Sequence, residues 1–411
     1  MKKLRCFSLL ASALTVLTLI PRYPVCHAES AGISAEYRTP SEIKEYFVNH
    51  PFDLYSRSSF DVQPDTTAPY NIGELSDHSL QNGLNALNFV RFTAGLSDVA
   101  LNDEYSSLAQ AAAFANCLNG TLSHYPVQPD GMTDELYARA SQGASSSNLF
   151  YSTSKRNLAY AIMAGYMNDS DAGNISRVGH RRWCLYPSMG ATGFGSAGNY
   201  SAMYAFDRSG SSGSVSTVCW PAQNMPLEYY NSSAAWSVST GQKLMAENVK
   251  VTITRKYDSR QWQFSASSSD GDFYVNNDYY GAPGCIIFRP DDISYSSGDS
   301  FDVKISGAPE TIEYTVNFFS LDNVYAETGD LSLGNVNYDA RIDASDASSV
   351  LVEYSLLSTG RVGNFNAEQN KSADVNFDGR IDASDASTIL VYYSYVSTSD
   401  SPLGMEDWLK G

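Results

Sequence analysis

Two stretches of this chain, NVNYDARIDASD from Asn335 to Asp346 and DVNFDGRIDASD from Asp374 to Asp385, lie 39 residues apart and are nearly the same. In the second, oxygen-bearing side chains stand at loop positions 1, 3, 5, 9 and 12: Asp374, Asn376, Asp378, Asp382 and Asp385. Gly379 occupies position 6, where a loop wound around calcium turns sharply, and the Arg380 carbonyl falls at position 7. The first loop offers Asn335, Asn337, Asp339, Asp343 and Asp346 with the Arg341 carbonyl. Each loop runs into an apolar stretch at helical spacing, as at Val350, Leu351 and Tyr354. The C-terminal part is therefore expected to fold as loop then helix, twice, around two Ca2+ sites. Asn335 lacks the charge of Asp374, and Ala340 stands where a positive φ is needed, at a cost of about 1–2 kcal/mol. The first site is expected to be the weaker.

Position 12 is Asp rather than Glu in both loops, and no helix with an apolar face directly precedes either. Residues 329–396 thereby resemble a dockerin, the module that joins proteins to the cohesin domains of cellulosome scaffolds. The resemblance implies a cohesin partner, with contacts at loop positions 10 and 11, here Ala344, Ser345, Ala383 and Ser384. The two sets are identical, which implies two binding orientations. Leu351, Val352, Leu390 and Val391 stand where many dockerins place basic residues.

The chain opens with a basic start and an uncharged run from Phe7 to Ile20, then Cys-His-Ala before Glu29. This pattern predicts a secretory signal at 1–28, cut after Ala28, and a secreted, extracellular protein. A run of 14 residues is too short for a membrane span of roughly 20, and no other stretch is apolar enough. The net charge of −18 argues against nucleic acid or an anionic membrane as partner. Cys117, Cys184, Cys219 and Cys285 would remain after cleavage; they allow three full pairings, or can stay unpaired as buried small hydrophobes.

Residues 29–76 are expected as a lead-in with a short helix at SEIKEYFVNH. Helical periodicity follows, with Leu80, Leu84, Leu87 and Val90 on one face up to Gly95, a second helix from Asp103 to Asn119, and a third over Lys155 to Asn168. After Gly190 the period shortens to two, and from Trp220 only strand signals appear, among them KVTITR, WQFSA, CIIFR, FDVKI and EYTVNFF. The boundaries expected are a domain at 77–218, a β-sandwich at 219–320 and the calcium-loop module at 328–400.

Between Leu80 and Asp207 the run NFVR, GTLSH, SSSNL, YMND, VGHRRW and GATGFG resembles the CAP superfamily of SCP-like extracellular domains. The fold class is then α+β: a CAP-like α-β-α sandwich, a β-sandwich, and a small all-α dockerin. The resemblance implies a cleft lined by two histidines and two acids, which binds a divalent metal in some members. His124 and His180 take the histidine places. Where many members have Gly-Glu-Asn this chain has Ser146, Ser147 and Asn148, and near the second acid only Asp169 or Asp171 remains. His124, His180, Ser147 and Asn148 are the ligand-cleft candidates. Two imidazoles without carboxylates suit a polar binding cleft better than zinc, which takes three or four protein ligands.

Arg181 and Arg182 suggest either an anion contact or a solvated, ion-paired face. Gly193, Gly195 and Gly198 spell GxGxxG, but between strand signals this is not a nucleotide fingerprint. No catalytic residue is assigned. In the β-rich part Trp236, Trp262, Tyr279 and Tyr280 could stack on sugars, although aromatics at strand spacing are more often core; Tyr279 and Tyr280 are the first choice for carbohydrate contact. The expected function is a cellulosome-associated protein anchored through cohesin, whose CAP-like domain binds a ligand without catalysis. The alternatives are a hydrolase of polysaccharide, protein or cell-wall material, and a carbohydrate-binding subunit working through the β-sandwich.

Overall fold

The computed structural model describes residues 32–211, 215–321, 332–337, 341–399 and 402–410. The expected signal sequence, the segment after Leu321, and loop residues Asp339 and Ala340 lie outside the described residues.

A capping box between Thr39 and Glu42 starts α1 (Pro40–Asn49), in which Ile43 is fully buried. Short strands β1 (Phe60–Val62) and β2 (Glu74–Leu75) form a ribbon ahead of α2 (Asp77–Thr93). Strand β3 (Ala100–Leu101) leads into α3 (Asp103–Asn119), which the Asn102 side chain caps and left-handed Gly120 ends, with the limits its sequence predicts. Next come α4 (Asp134–Ser145) and β4 (Ser147–Tyr151), neither legible in the periodicity. The helix expected over 155–168 is split into one α turn, α5 (Leu158–Tyr160), and a π-helical stretch over Ala161–Tyr166. After α6 (Gly179–Cys184) follow β5 (Ala191–Thr192), β6 (Phe194–Ala197) and β7 (Tyr200–Tyr204).

Strands β4, β7 and β6 form an antiparallel sheet in that order, covered on one side by α3. The covering is tight because α3 is a run of alanines, Ala109 and Ala111 to Ala113 being wholly buried. A side chain at Gly193 or Gly195 would run into the α3 backbone. Gly193 and Gly195 are thus helix-packing residues.

The β-rich part holds β8 (Val218–Trp220), β9 (Asn224–Pro226), β10 (Trp236–Ser239), β11 (Lys250–Arg255), β12 (Gln261–Ser265), β13 (Gly271–Asn276), β14 (Cys285–Pro290), β15 (Ser300–Ser306) and β16 (Ile312–Phe319). One sheet runs β13-β14-β10-β8 and the other β12-β11-β15-β16-β9, antiparallel except for β16 against β9. Alternation along β12 sends Trp262 and Phe264 inward, where they meet Phe288 and Trp236 of the opposite sheet through Phe301. Trp236 and Trp262 are 0% and 2% exposed. Both are core residues, the more ordinary use of aromatics at strand spacing, and neither is open to a sugar.

The largest apolar cluster crosses the expected boundary at 218/219, while α3 and α4 close a smaller one of their own. Ile43 of α1, Phe89 of α2, Trp183 of α6 and the sandwich interior belong to one continuous cluster, with Phe47 and Phe52 meeting both Phe89 and Tyr229 edge-on or tilted. A separate small core lies in the C-terminal helices α7 (Ala344–Ser358), α8 (Ala367–Ala373), α9 (Ala383–Thr398) and α10 (Met405–Leu409). There Val336, Ala347 and Val350 of the first repeat face Val375, Ala386 and Ile389 of the second. Among the described residues no helix is long and apolar enough to cross a membrane.

Candidate functional site

A cleft of about 690 Å3 opens between the loop after α3, strand β4, the π-helical stretch and α6. All four cleft candidates line it. His180 arrives on the first turn of α6. Its Nδ1 lies 2.7 Å from Oδ1 of Asp169, a carboxylate almost wholly shielded from solvent. The other Asp169 oxygen accepts the Arg181 backbone N–H at 3.2 Å. A carboxylate can only accept, so Nδ1 carries a proton, and in the neutral imidazole Nε2 is then an acceptor. His124 follows the same rule: its Nδ1 donates to the Ala144 carbonyl at 2.9 Å, again leaving Nε2 as acceptor.

Local backbone strain fixes this arrangement. Asp169 has φ +44° and Val178, just before α6, has φ +40°, a conformation a β-branched residue rarely adopts. Val178 is 0% exposed and packed with Ile175, Ala235, Cys285 and Ile287, so core packing holds the strained turn that aims His180. Asn148 ties β4 to the same helix, its Nδ2 donating to the His180 carbonyl at 2.9 Å. The Ser147 hydroxyl and Asn168 Oδ1 are buried on this cleft with no hydrogen-bond partner.

Of the two acids left open by the sequence, Asp169 is the one that joins the histidine. Asp171 instead accepts from its own loop, the Gly173 N–H and the Asn174 side chain. The pairing was missed because only the left-handed turns bring position 169 under position 180.

Neither expectation for the arginine pair holds. Arg181 is 0% exposed and donates to the carbonyls of Met167, Asn168 and Ala235 and to the Ser237 hydroxyl. Arg182 donates to Asn276 Oδ1 and to the carbonyls of Asp278 and Ala282, all at 2.7 Å. Burial pulls both guanidinium pKa values down. The pair therefore fastens α6 to the β-rich part and turns its donors away from the cleft.

Tyr280 lies beneath the Arg182 guanidinium, 4.9 Å from its ring centre, and reaches the cleft itself, with Gly179 so close that a Cβ would come within 2.8 Å of the ring. Tyr279 points elsewhere, 54% exposed beside Arg208 and bordering a smaller cleft of about 300 Å3. The four cysteines are unpaired, and burial pushes their thiols up, that of Cys219 to about 12.

In the C-terminal module the second loop is wound on its own N–H groups. Asp374 accepts from Asp378 and Gly379, Asp378 from Arg380, and Asp382 from Ser384, while Gly379 takes φ +80°. Asp385 is fully buried, accepts the Val375 and Asp382 N–H groups, and its carboxyl is pushed up by burial. Asp346 does the same for Val336 and Asp343. Ala344, Ser345, Ala383 and Ser384 are exposed, and beside them Leu351, Val352, Leu390 and Val391 are 42–58% exposed.

These features agree with comparisons against known families. Residues 84–219 match the model of the cysteine-rich secretory protein (CAP) family, and residues 333–392 match that of the dockerin type I domain. The chain thus carries a CAP domain and a C-terminal type I dockerin, with a β-rich region between them. No curated protein matches it.

A type I dockerin binds calcium and implies a cohesin partner and cellulosomal anchoring. The donor set agrees with that chemistry: its side chains are all oxygen ligands, and the one residue at the bend of the second loop is a left-handed glycine. Among the described residues no three His, Cys, Asp or Glu side chains converge as a metal cluster. In the CAP cleft serine stands in place of one carboxylate, and His180 and the Arg181 N–H engage the other.

Proposed function

We propose that this is a secreted, cellulosome-associated protein whose dockerin holds it on a cohesin-bearing scaffold while the CAP cleft binds a ligand. In this reading residues 1–28 are the export signal, 77–218 and 219–320 act as one body, and 328–400 form the anchor. The observation that carries it is the internal two-fold of the dockerin, with Ala344-Ser345 and Ala383-Ser384 exposed at equivalent helix starts beside equivalent apolar stripes. One calcium is held by Asp374, Asn376, Asp378, the Arg380 carbonyl, Asp382 and Asp385. The other, weaker, is held by Asn335, Asn337, Asp339, the Arg341 carbonyl, Asp343 and Asp346. When bound, calcium would supply the positive charge that offsets the mutual repulsion of these carboxylates beside the helix starts.

Calorimetry of the full chain against a panel of type I cohesins tests the anchor. Tight binding with calcium that is lost with chelator is expected, and calcium uptake with no cohesin bound would overturn it.

A second reading, hydrolase, is favoured by one observation, the Asp169–His180 pair. A buried carboxylate that fixes Nδ1–H leaves Nε2 able to take a proton from water or a hydroxyl. Turnover of polysaccharide or casein that vanishes in His180→Ala would carry this reading over simple binding. The reading of the β-sandwich as a sugar binder keeps only Tyr279 as an exposed aromatic of its four candidates.

A further inference from the structure

Resting on the cleft being a binding site, we propose that its ligand is an uncharged saccharide, held between the CAP domain and Tyr280 of the β-rich region. The polar floor is the first argument. His124 and His180 each spend their Nδ1 proton on a partner that can only accept, so with neutral rings both Nε2 atoms are acceptors. Asn168 Oδ1 is a third acceptor, buried and without a partner. Ser147, 4% exposed, adds a hydroxyl with no partner. Buried polar groups are normally satisfied. A floor this rich in acceptors calls for a ligand that brings several O–H donors.

The walls give the second argument. Tyr125, Tyr151 and Phe206 border the cleft with 82%, 44% and 45% of their surface exposed, and Tyr280 closes the side facing the sandwich. Aromatic faces beside a hydrogen-bonding floor match a sugar ring, whose C–H faces are apolar and whose edge is hydroxylated.

Charge supplies the third. Asp169 is spent on His180, Arg181 and Arg182 are spent on carbonyls behind the cleft, and Asp171 and Arg177 at the rim are opposite in sign. Nothing selects for an ionic ligand. The volume, about 690 Å3, accommodates a short oligosaccharide.

An extended peptide is the competing occupant, because β4 is an edge strand and lines the cleft. Gly165 packs so closely on the Phe150 ring, a Cβ there coming within 2.5 Å of it, that the π-helical stretch crowds the approach of another strand.

Calorimetry on the calcium-loaded full chain with cello-, xylo- and manno-oligosaccharides, and with casein-derived peptides, decides between them. Binding of at least one saccharide is expected, weakened tenfold or more by Phe206→Ala and by Asn168→Leu. Tyr125→Ala, at a side chain too exposed to matter for folding, should weaken it at least threefold, while Tyr354→Ala on the dockerin leaves it unchanged. No binding by any saccharide, saccharide binding that survives all three cleft changes, or peptide binding in its place would overturn the proposal. Cohesin affinity measured on the same samples reports the anchoring separately, and peptide binding would leave the cleft a binding site of another class.

Discussion

A guanidinium with no exposed surface has to satisfy its donors inside the protein, and Arg181 does so by drawing together Met167, Asn168, Ala235 and Ser237. Three of these acceptors are backbone carbonyls that lose the guanidinium in Arg181→Met. Hydrogen bonds from a charged donor contribute about 1.5–3 kcal/mol each, and buried acceptors left unmet cost about 1–3 kcal/mol. Denaturant unfolding of the full chain should show a loss of at least about 3 kcal/mol for Arg181→Met. A loss near zero would mean that the strained turn carrying His180 is held by Val178 packing alone.

At this scale the sequence was readable where a residue type has one use. Gly-His-Arg-Arg-Trp pointed to the cleft and His180 lines it. It was unreadable where backbone conformation chose the partner: nothing in the letters Asn-Asp-Ser-Asp says that Asp169 takes a left-handed φ and meets His180. The arginines misled because charge predicts solvent, whereas here five and more donors are met by carbonyls.

Helices with strong periodicity and caps, such as α3, were legible to the residue. β4 was not, because a five-residue strand of Ser, Asn, Leu, Phe and Tyr buried at one end shows no alternation. The two loop–helix units of the dockerin were the clearest of all, and their difference makes a prediction. Both units cap their helix in the same manner, Asp343 with Asp346 and Asp382 with Asp385, so helix starts do not distinguish the sites. What differs is the bend, Gly379 at φ +80° in one and Ala340 in the other, and the first ligand, Asp374 against Asn335. Asp378→Ala, which leaves only the first loop, should therefore bind calcium at least tenfold more weakly than Asn337→Ala, which leaves the second, since 1–2 kcal/mol is roughly a factor of ten. Equal affinities in fluorescence titrations of the two variants would show that the alanine bend costs nothing.

Across the whole molecule, the dockerin does not hang free of the sandwich. The Val362 N–H donates to the Gly298 carbonyl at 3.1 Å, and Arg361 pairs with Asp299 at 3.2 Å while lying over Tyr257. Asp299 is 2% exposed and its carboxyl is pushed up by burial despite that arginine, so the ion pair is an expensive way to hold two surfaces unless apolar packing helps. Leu356 of α7 supplies the packing, seated directly on Gly298, whose φ of +85° and missing side chain make room for it. Gly298→Val would drive a side chain into Leu356 and strain the backbone as well, whereas Arg361→Ala removes only the charge pair. X-ray scattering of the calcium-loaded chain should then show a larger maximum dimension for Gly298→Val and a smaller change for Arg361→Ala. The exposed stripes at Leu351 and Leu390 lie away from this contact, so cohesin affinity should stay the same in both variants. If scattering is unchanged in Gly298→Val, the dockerin is held by something other than this seat, and the contact does not set how the cleft is carried relative to the scaffold.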